Sequence, residues 1–423
     1  MSERLRRGLQ ILLPGFKSQS VLHYSILAQI MNSEEIPASI NWGFVMPQWN
    51  SNIDKVGTGF AAFLSPPGPE VIRFTVGQPD FDTPTKIVDS AKAALDRGET
   101  AYTRTQGSPE LCSAVSTHLS KHDIDIDSKN IVVAPGCKQA VLYAMMATLA
   151  PGDEILLLAP AWPSYDGMLK LIGAVPVHVP VKRDNYHPDF DALEAAITPK
   201  TKAIMVNSPN NPTGAVYYPE EIERLVALAV KHDLWIIDDM IYATLVWADY
   251  GYTSPANFAG GKERTITVGG WSKGWAMTGW RLGWIGGCTE VANAIKKINA
   301  SAATHVATFL MPAAITALSL EEETQMMADS FKKRRDVVYQ LLDALPGITV
   351  PKPEGAFYAL CDITETGMTD IEFANRALEE AKVQLIPGSL MEGGEGYVRI
   401  SYATSMENIE EGVRRLSKWL NGL

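Results

Sequence analysis

Cysteine is scarce in this chain. Cys112, Cys137, Cys288 and Cys361 are the only four in 423 residues, and they form neither a C-x-x-C pair nor a cysteine–histidine cluster. That spacing indicates no zinc site and no disulfide framework, and it suits a reducing cytosol. Positive charge is short as well. The 37 Lys and Arg against 48 Asp and Glu leave a formal net charge of −11 and a pI near 5.2, which disfavours a nucleic-acid partner, because neutralising phosphates takes a surplus of cations. Long apolar runs are missing too: none approaches the roughly 20 residues of a membrane-spanning helix. No suitably placed G-x-G-x-x-G follows a first strand, which removes the main support for a dinucleotide-dependent oxidoreductase. Long-range repeats and low-complexity tracts are also lacking. The expectation is a soluble, cytoplasmic protein that handles small anions in a local basic pocket.

What is present is ample core material, with 46% hydrophobic residues, and a length that a prior of roughly one domain per 150 residues reads as two or three units. From Asn130 onward, short apolar runs alternate with helical segments: Ile131–Ala134, Glu154–Leu158, Ala203–Val206, Leu234–Ile237 and Thr265–Val268. Continuous runs of this kind suit strands buried on both faces, and their alternation with helices predicts a mostly parallel α/β sheet. Pro219-Glu220-Glu221 opens one covering helix, with proline and acids at the end the dipole favours. After about Leu320 the character changes to a long charged helix from Glu321 to Leu345, then short strand-like pieces at Ala356–Leu360 and Tyr397–Ile400, which reads as a smaller α+β domain. Near the N-terminus, Arg4, Arg6, Arg7 and Lys17 surround Leu9–Leu13 in the manner of an organelle presequence. Pro14-Gly15 breaks that stretch, so a terminal arm is favoured with the presequence left open. Residues 32 to 70 mix Trp42, Phe44, Trp49, Phe60 and Phe63 with prolines and lack periodicity; an arm against a partner subunit, or a lid, would fit them.

One lysine stands out. Lys273 follows a strand, sits between Trp271 and Trp275, and has Arg281 eight residues on. A lone lysine is ordinarily a solvated surface charge, but this setting favours burial and a lowered pKa, which would make it a covalent anchor and a base. Upstream lie Asn207-Ser208-Pro209-Asn210-Asn211-Pro212-Thr213-Gly214 and Asp239 with Tyr242; near the C-terminus lies Arg399. Together, in this order, these residues resemble the pyridoxal-phosphate site of class I/II aminotransferases, fold type I and aspartate aminotransferase-like. The resemblance runs from about Val71 to the C-terminus. It implies a large domain with a mostly parallel seven-stranded sheet flanked by helices, at about 84–328. The smaller α+β domain would combine 329–423 with 1–83, the N-terminal arm included.

The resemblance also assigns roles. Lys273 would attach the cofactor and shuttle the substrate's proton. Asp239 would hold the proton on the ring nitrogen; Asp238 is the rival, but the family's aspartate lies three residues before its tyrosine, and strand neighbours alternate in direction. Tyr242 and Asn211 would bond the cofactor's phenolic oxygen, although Asn211-Pro212-Thr213-Gly214 is in any case a turn. The phosphate would take Gly136, Cys137 and Lys138 at a helix start, Ser272, and the guanidinium of Arg281. Tyr102 would reach the phosphate of a neighbouring subunit, which makes the enzyme a homodimer with active sites at the interface. Trp162 would stack on the ring. Arg399, with the backbone of Gly77, would bind the substrate α-carboxylate. No metal is implied.

Lys138, in Gly136-Cys137-Lys138-Gln139-Ala140, matches the lysine that contacts the distal carboxylate in the relatives acting on acidic amino acids. Ser301-Ala302-Ala303-Thr304-His305 departs from that subgroup's serine- and threonine-rich pattern. The first reading is therefore a ping-pong aminotransferase passing an amino group from aspartate or another acidic donor to a 2-oxo acid such as 2-oxoglutarate. An aromatic or broad-specificity aminotransferase and a C–S lyase on the same fold are the alternatives. A transcriptional regulator on this body would need a basic helix-turn-helix region, against which the acidic balance argues.

Overall fold

The computed structural model describes residues 50–57 and 68–422. The basic stretch Arg4–Lys17 and most of the aromatic and proline-rich segment 32 to 70 lie outside the described residues. Strands run in chain order as β1 (Ile72–Arg73), β2 (Ile131–Ala134), β3 (Glu154–Ala159), β4 (Val175–Pro180), β5 (Thr201–Val206), β6 (Trp235–Asp239), β7 (Thr265–Gly270) and β8 (Gly283–Gly286). β2 to β8 form a seven-stranded sheet in the order β2-β8-β7-β6-β5-β3-β4. Its pairings are parallel except for β8, which runs antiparallel to both β2 and β7. The apolar runs read from sequence are β2, β3, β5, β6 and β7. β4 is an edge strand, which is why it tolerates Pro176 and Pro180. β8 is only Gly-Trp-Ile-Gly and carries little strand propensity of its own.

Both faces of the sheet are covered, as its unbroken apolar strands require. On one face Ile155, Leu157, Met205, Ile237 and Val268 pack with residues of the helices Cys137–Thr148, Ser164–Ile172 and Thr289–Ala302. On the other, helix Pro219–Lys231 buries Ile222, Leu225, Val226 and Ala229 against Leu156, Ile204 and Ile236. Each of the larger aliphatic side chains contributes roughly 2 kcal/mol by leaving water. Pro219 takes the first turn, and Glu221 Oε2 accepts from the Tyr218 N–H at 3.0 Å, closing the helix start.

Beyond the sheet come helix Glu321–Asp343, β9 (Tyr358–Asp362), helix Asp370–Glu380, β10 (Val383–Gln384), β11 (Ile386–Pro387), β12 (Tyr397–Ser401) and helix Met406–Leu420. β11, β12 and β9 form an antiparallel sheet. β1 pairs in parallel with β10, Ile72 opposite Val383, so the chain before the large sheet shares a core with the chain after it. The C-terminal ends of β2, β3, β5, β6 and β7 converge on one cavity, the usual ligand position in open α/β sheets.

Candidate active site

Each of those strands delivers chemistry where it stops. β2 runs into Gly136 and the helix Cys137–Thr148, β3 leads to Trp162, β5 to Asn207 and Asn211, β6 ends on Asp239, and β7 passes into Ser272-Lys273. The cavity they surround measures about 420 Å³. Gly77, Cys137, Lys138, Trp162, Asn211, Asp239, Tyr242, Ser272, Lys273, Arg281 and Arg399 all line it, and Gly136 adjoins it at the helix start. Tyr102 does not: it is 91% exposed, set edge-on against His305.

Lys273 donates from Nζ to the carbonyl of Gly77. Burial pulls its ammonium down to about 8, which brings a neutral amine within reach near neutral pH. Asp239 is buried; Tyr165 donates to its Oδ2 at 2.7 Å and the Ile241 N–H to its Oδ1 at 3.2 Å. The Cys137 thiol stands 3.6 Å from Oδ1. Burial pushes that thiol well up, so it stays protonated and serves as a donor. Burial raises the Asp239 carboxyl too, and the three donors restrain the rise. Asp238 turns the other way and accepts from Tyr252 and Ser254, each at 2.7 Å.

Asn207 couples two strands. Its Nδ2 donates to the Asp239 carbonyl at 2.9 Å, and its Oδ1 accepts from the Asn211 N–H at 3.0 Å. Within the turn, Asn210 Oδ1 accepts from Thr213 N–H and hydroxyl. Asn211 is thereby held so that its Oδ1 accepts from Arg399 Nη1 at 3.0 Å, while Arg399 Nη2 donates to the Thr75 carbonyl at 3.0 Å. A buried guanidinium fixed on two sides is well suited to a planar carboxylate.

At the other end, Gly136 has φ +91°, and a Cβ there would lie 2.3 Å from Arg281 Nη2. The missing side chain lets the guanidinium lie across the start of a helix of 12 residues, where unpaired N–H groups and the dipole already favour an anion. Lys138 Nζ sits 4.9 Å over the Trp162 ring, whose π face attracts a cation.

The sequence profile described as "Aminotransferase class I and II" matches residues 69–416. The chain belongs to this family. A probable aspartate/prephenate aminotransferase from Aquifex aeolicus is 38% identical over 86% of this chain and 94% of its own. An aspartate aminotransferase from Pyrococcus abyssi is 41% identical over 83% and 92%. An aromatic-amino-acid aminotransferase from Thermococcus litoralis is 40% identical over 83% and 92%. Among solved structures, aspartate aminotransferase from Thermus thermophilus with maleate superposes with TM-score 0.83 at 34% identity, covering 88% of this chain and all of that one (100%). The aromatic aminotransferase from Pyrococcus horikoshii superposes with TM-score 0.81 at 39% identity, covering 86% and 99%.

Class I and II aminotransferases work with pyridoxal phosphate, and the donor set of this aminotransferase fits that group. A lysine of lowered pKa, a buried carboxylate for a ring nitrogen and a cationic cradle for a phosphate line one cavity. Sequence reading missed Tyr165, Thr75 and Tyr358, which line it as well. Tyr165 carried a faint signal, three residues after Trp162 in Trp162-Pro163-Ser164-Tyr165. Thr75 and Tyr358 sit on short extended pieces whose neighbours become visible only once β1, β9 and β12 are assembled.

Proposed function

We propose that this aminotransferase holds pyridoxal phosphate on Lys273 and moves an amino group from an acidic L-amino acid, aspartate first, to a 2-oxo acid such as 2-oxoglutarate. Bound there, the cofactor supplies a carbonyl that links to amines and a ring that accepts electrons from the substrate Cα. Asp239 keeps the ring nitrogen's proton in place. Tyr242 and Asn211 would donate to its phenolic oxygen and Trp162 would pack on its face, while Ser272, Arg281 and the N–H groups of Cys137 and Lys138 would take its phosphate, the Gly136 N–H being held by the Ala134 carbonyl at 2.7 Å. Arg399 grips the substrate α-carboxylate with the backbone of Gly77 and orients the Cα–H bond. Lys273, as a neutral amine, would accept the substrate's Cα proton at Nζ and hold it there for return. Release of one product before binding of the next substrate gives ping-pong kinetics.

The acidic donor rests on one observation: besides Lys273 and Arg281, the cavity is lined by two further cations from different elements, buried Arg399 on β12 and Lys138 at the helix start. Two separated cations suit a dicarboxylate, the class to which the maleate in the Thermus relative's structure belongs. The Thermococcus relative's name keeps an aromatic or broad-specificity reading as second, with Trp162 and Tyr358 as apolar walls. We further infer a homodimer in which Tyr102 completes the partner's site, a cytoplasmic setting, and a division into 84–328 and 1–83 with 329–423. No helix among the described residues is long and apolar enough to cross a membrane.

The test is an absorbance spectrum of the purified protein with pyridoxal phosphate before and after aspartate. The visible band is expected to shift with aspartate, return with 2-oxoglutarate, and be lost in Lys273→Ala. A band that ignores aspartate but answers to phenylalanine or tyrosine would move the donor to the aromatic class. Pyruvate and ammonia released from a sulfur amino acid would instead support the lyase.

A further inference from the structure

Tyr358 opens β9, is fully buried, and belongs to none of the motifs that carry the family resemblance. Its hydroxyl oxygen lies 2.9 Å from that of Tyr242. Its ring lies 4.7 Å from the Arg399 guanidinium. Gly77 makes room for it, since a Cβ at that position would come 2.3 Å from the Tyr358 oxygen, and the Gly77 carbonyl is the acceptor for Lys273. One phenol therefore touches the tyrosine assigned to the cofactor, the arginine assigned to the substrate, and the backbone that steadies the lysine.

The two hydroxyls have one proton each, and in a bonded pair one donates while the other accepts. For Tyr242 to send its own proton into the cavity, it must be the acceptor from Tyr358. A hydroxyl that accepts one hydrogen bond donates a stronger one, because chains of such bonds polarise each other. We propose that Tyr358 is a positioning residue: it donates to Tyr242, and so sets how strongly Tyr242 donates to the cofactor's phenolic oxygen, while its ring face supports Arg399. This rests on the cofactor reading above.

The test is a pH titration of the holoenzyme's visible absorbance band, with maleate affinity measured alongside. A donor on the phenolic oxygen withdraws electron density and lets the neighbouring proton leave at lower pH, so weakening that donor moves the midpoint up. Tyr358→Phe is expected to raise the midpoint by about 0.5 unit or more, the size of one lost hydrogen bond. Maleate affinity is expected to stay within about threefold, because the ring still lies against Arg399. In a Tyr242→Phe background the same substitution is expected to add nothing, since it acts through Tyr242. Gly77→Ala, with Tyr358 intact, is expected to move the midpoint the same way by pushing the hydroxyl off Tyr242, and to add nothing in the Tyr242→Phe background, which separates this from any effect on the Lys273 contact with the Gly77 carbonyl and covers the case in which Tyr358→Phe does not fold. An unchanged midpoint, or a shift that persists in full without the Tyr242 hydroxyl, overturns the inference and leaves the cofactor reading standing. A wild-type protein with no visible band after addition of pyridoxal phosphate overturns both.

Discussion

Asp238 and Asp239 share a side chain, a strand and a burial level, and differ only in which face of β6 they leave. Asp239 meets the cavity and its three donors. Asp238 meets two hydroxyls behind the sheet, and burial carries its carboxyl up to about 7. The pair was separable in sequence through strand alternation and the spacing to Tyr242, whereas the thiol of Cys137 on Asp239 was not, because nothing in a Gly-Cys-Lys run says which way the cysteine points. The raised Asp238 makes a stability prediction. In the unfolded chain it ionises near the ordinary carboxylate pKa, about 4, so its favourable contribution is full below that pH and is lost as pH rises through about 7. Denaturant unfolding of the protein without cofactor should therefore lose on the order of 4 kcal/mol between those limits. Asp238→Asn should flatten that limb; an unchanged slope would mean that Asp238 is ionised in the fold.

At the scale of an element, the start of helix Cys137–Thr148 depends on what Gly136 lacks. A side chain there would meet strain from φ +91° and a clash with Arg281. Arg281 is itself held by a bond from Nη1 to the Thr278 carbonyl at 2.9 Å, so it has little freedom to yield. Gly136→Ala should weaken pyridoxal phosphate by about tenfold or more, the effect of disturbing one charge-assisted contact. Pyridoxal without its phosphate should lose much less, and titrating both into the protein without cofactor measures the difference. Equal losses would place the phosphate elsewhere. Elements differed in how well they could be read. Five strands announced themselves through apolar runs buried on both faces. β4 is masked by edge prolines, and β8 is too short and glycine-rich to show, its antiparallel course fixed by the strands on either side. β1 and β10, with two residues each, exist only because distant segments meet.

For the molecule as a whole, the order of the motifs along the chain disclosed the family, because the cavity draws Asp239 and Tyr242 from the end of β6, Lys273 from just beyond β7 and Arg399 from β12. What sequence order does not disclose is where one chain's site ends. Tyr102 lies outside its own chain's cavity and is 91% exposed, an unusual state for a large aromatic ring edge-on to another ring. Both facts are explained if a second copy covers it and its hydroxyl serves the partner's phosphate. Tyr102→Ala and Lys273→Ala should then each be nearly inactive alone. In a two-fold dimer a hybrid has one site carrying both substitutions and one carrying neither. Mixing equal amounts, with exchange of subunits, should thus restore about a quarter of wild-type sites, since about half of the dimers are hybrids. If Tyr102 served its own chain, every site in the hybrid would carry one substitution, and mixing would restore nothing. Recovered activity in the mixture, measured against each variant alone, separates the two arrangements without any structure of the dimer.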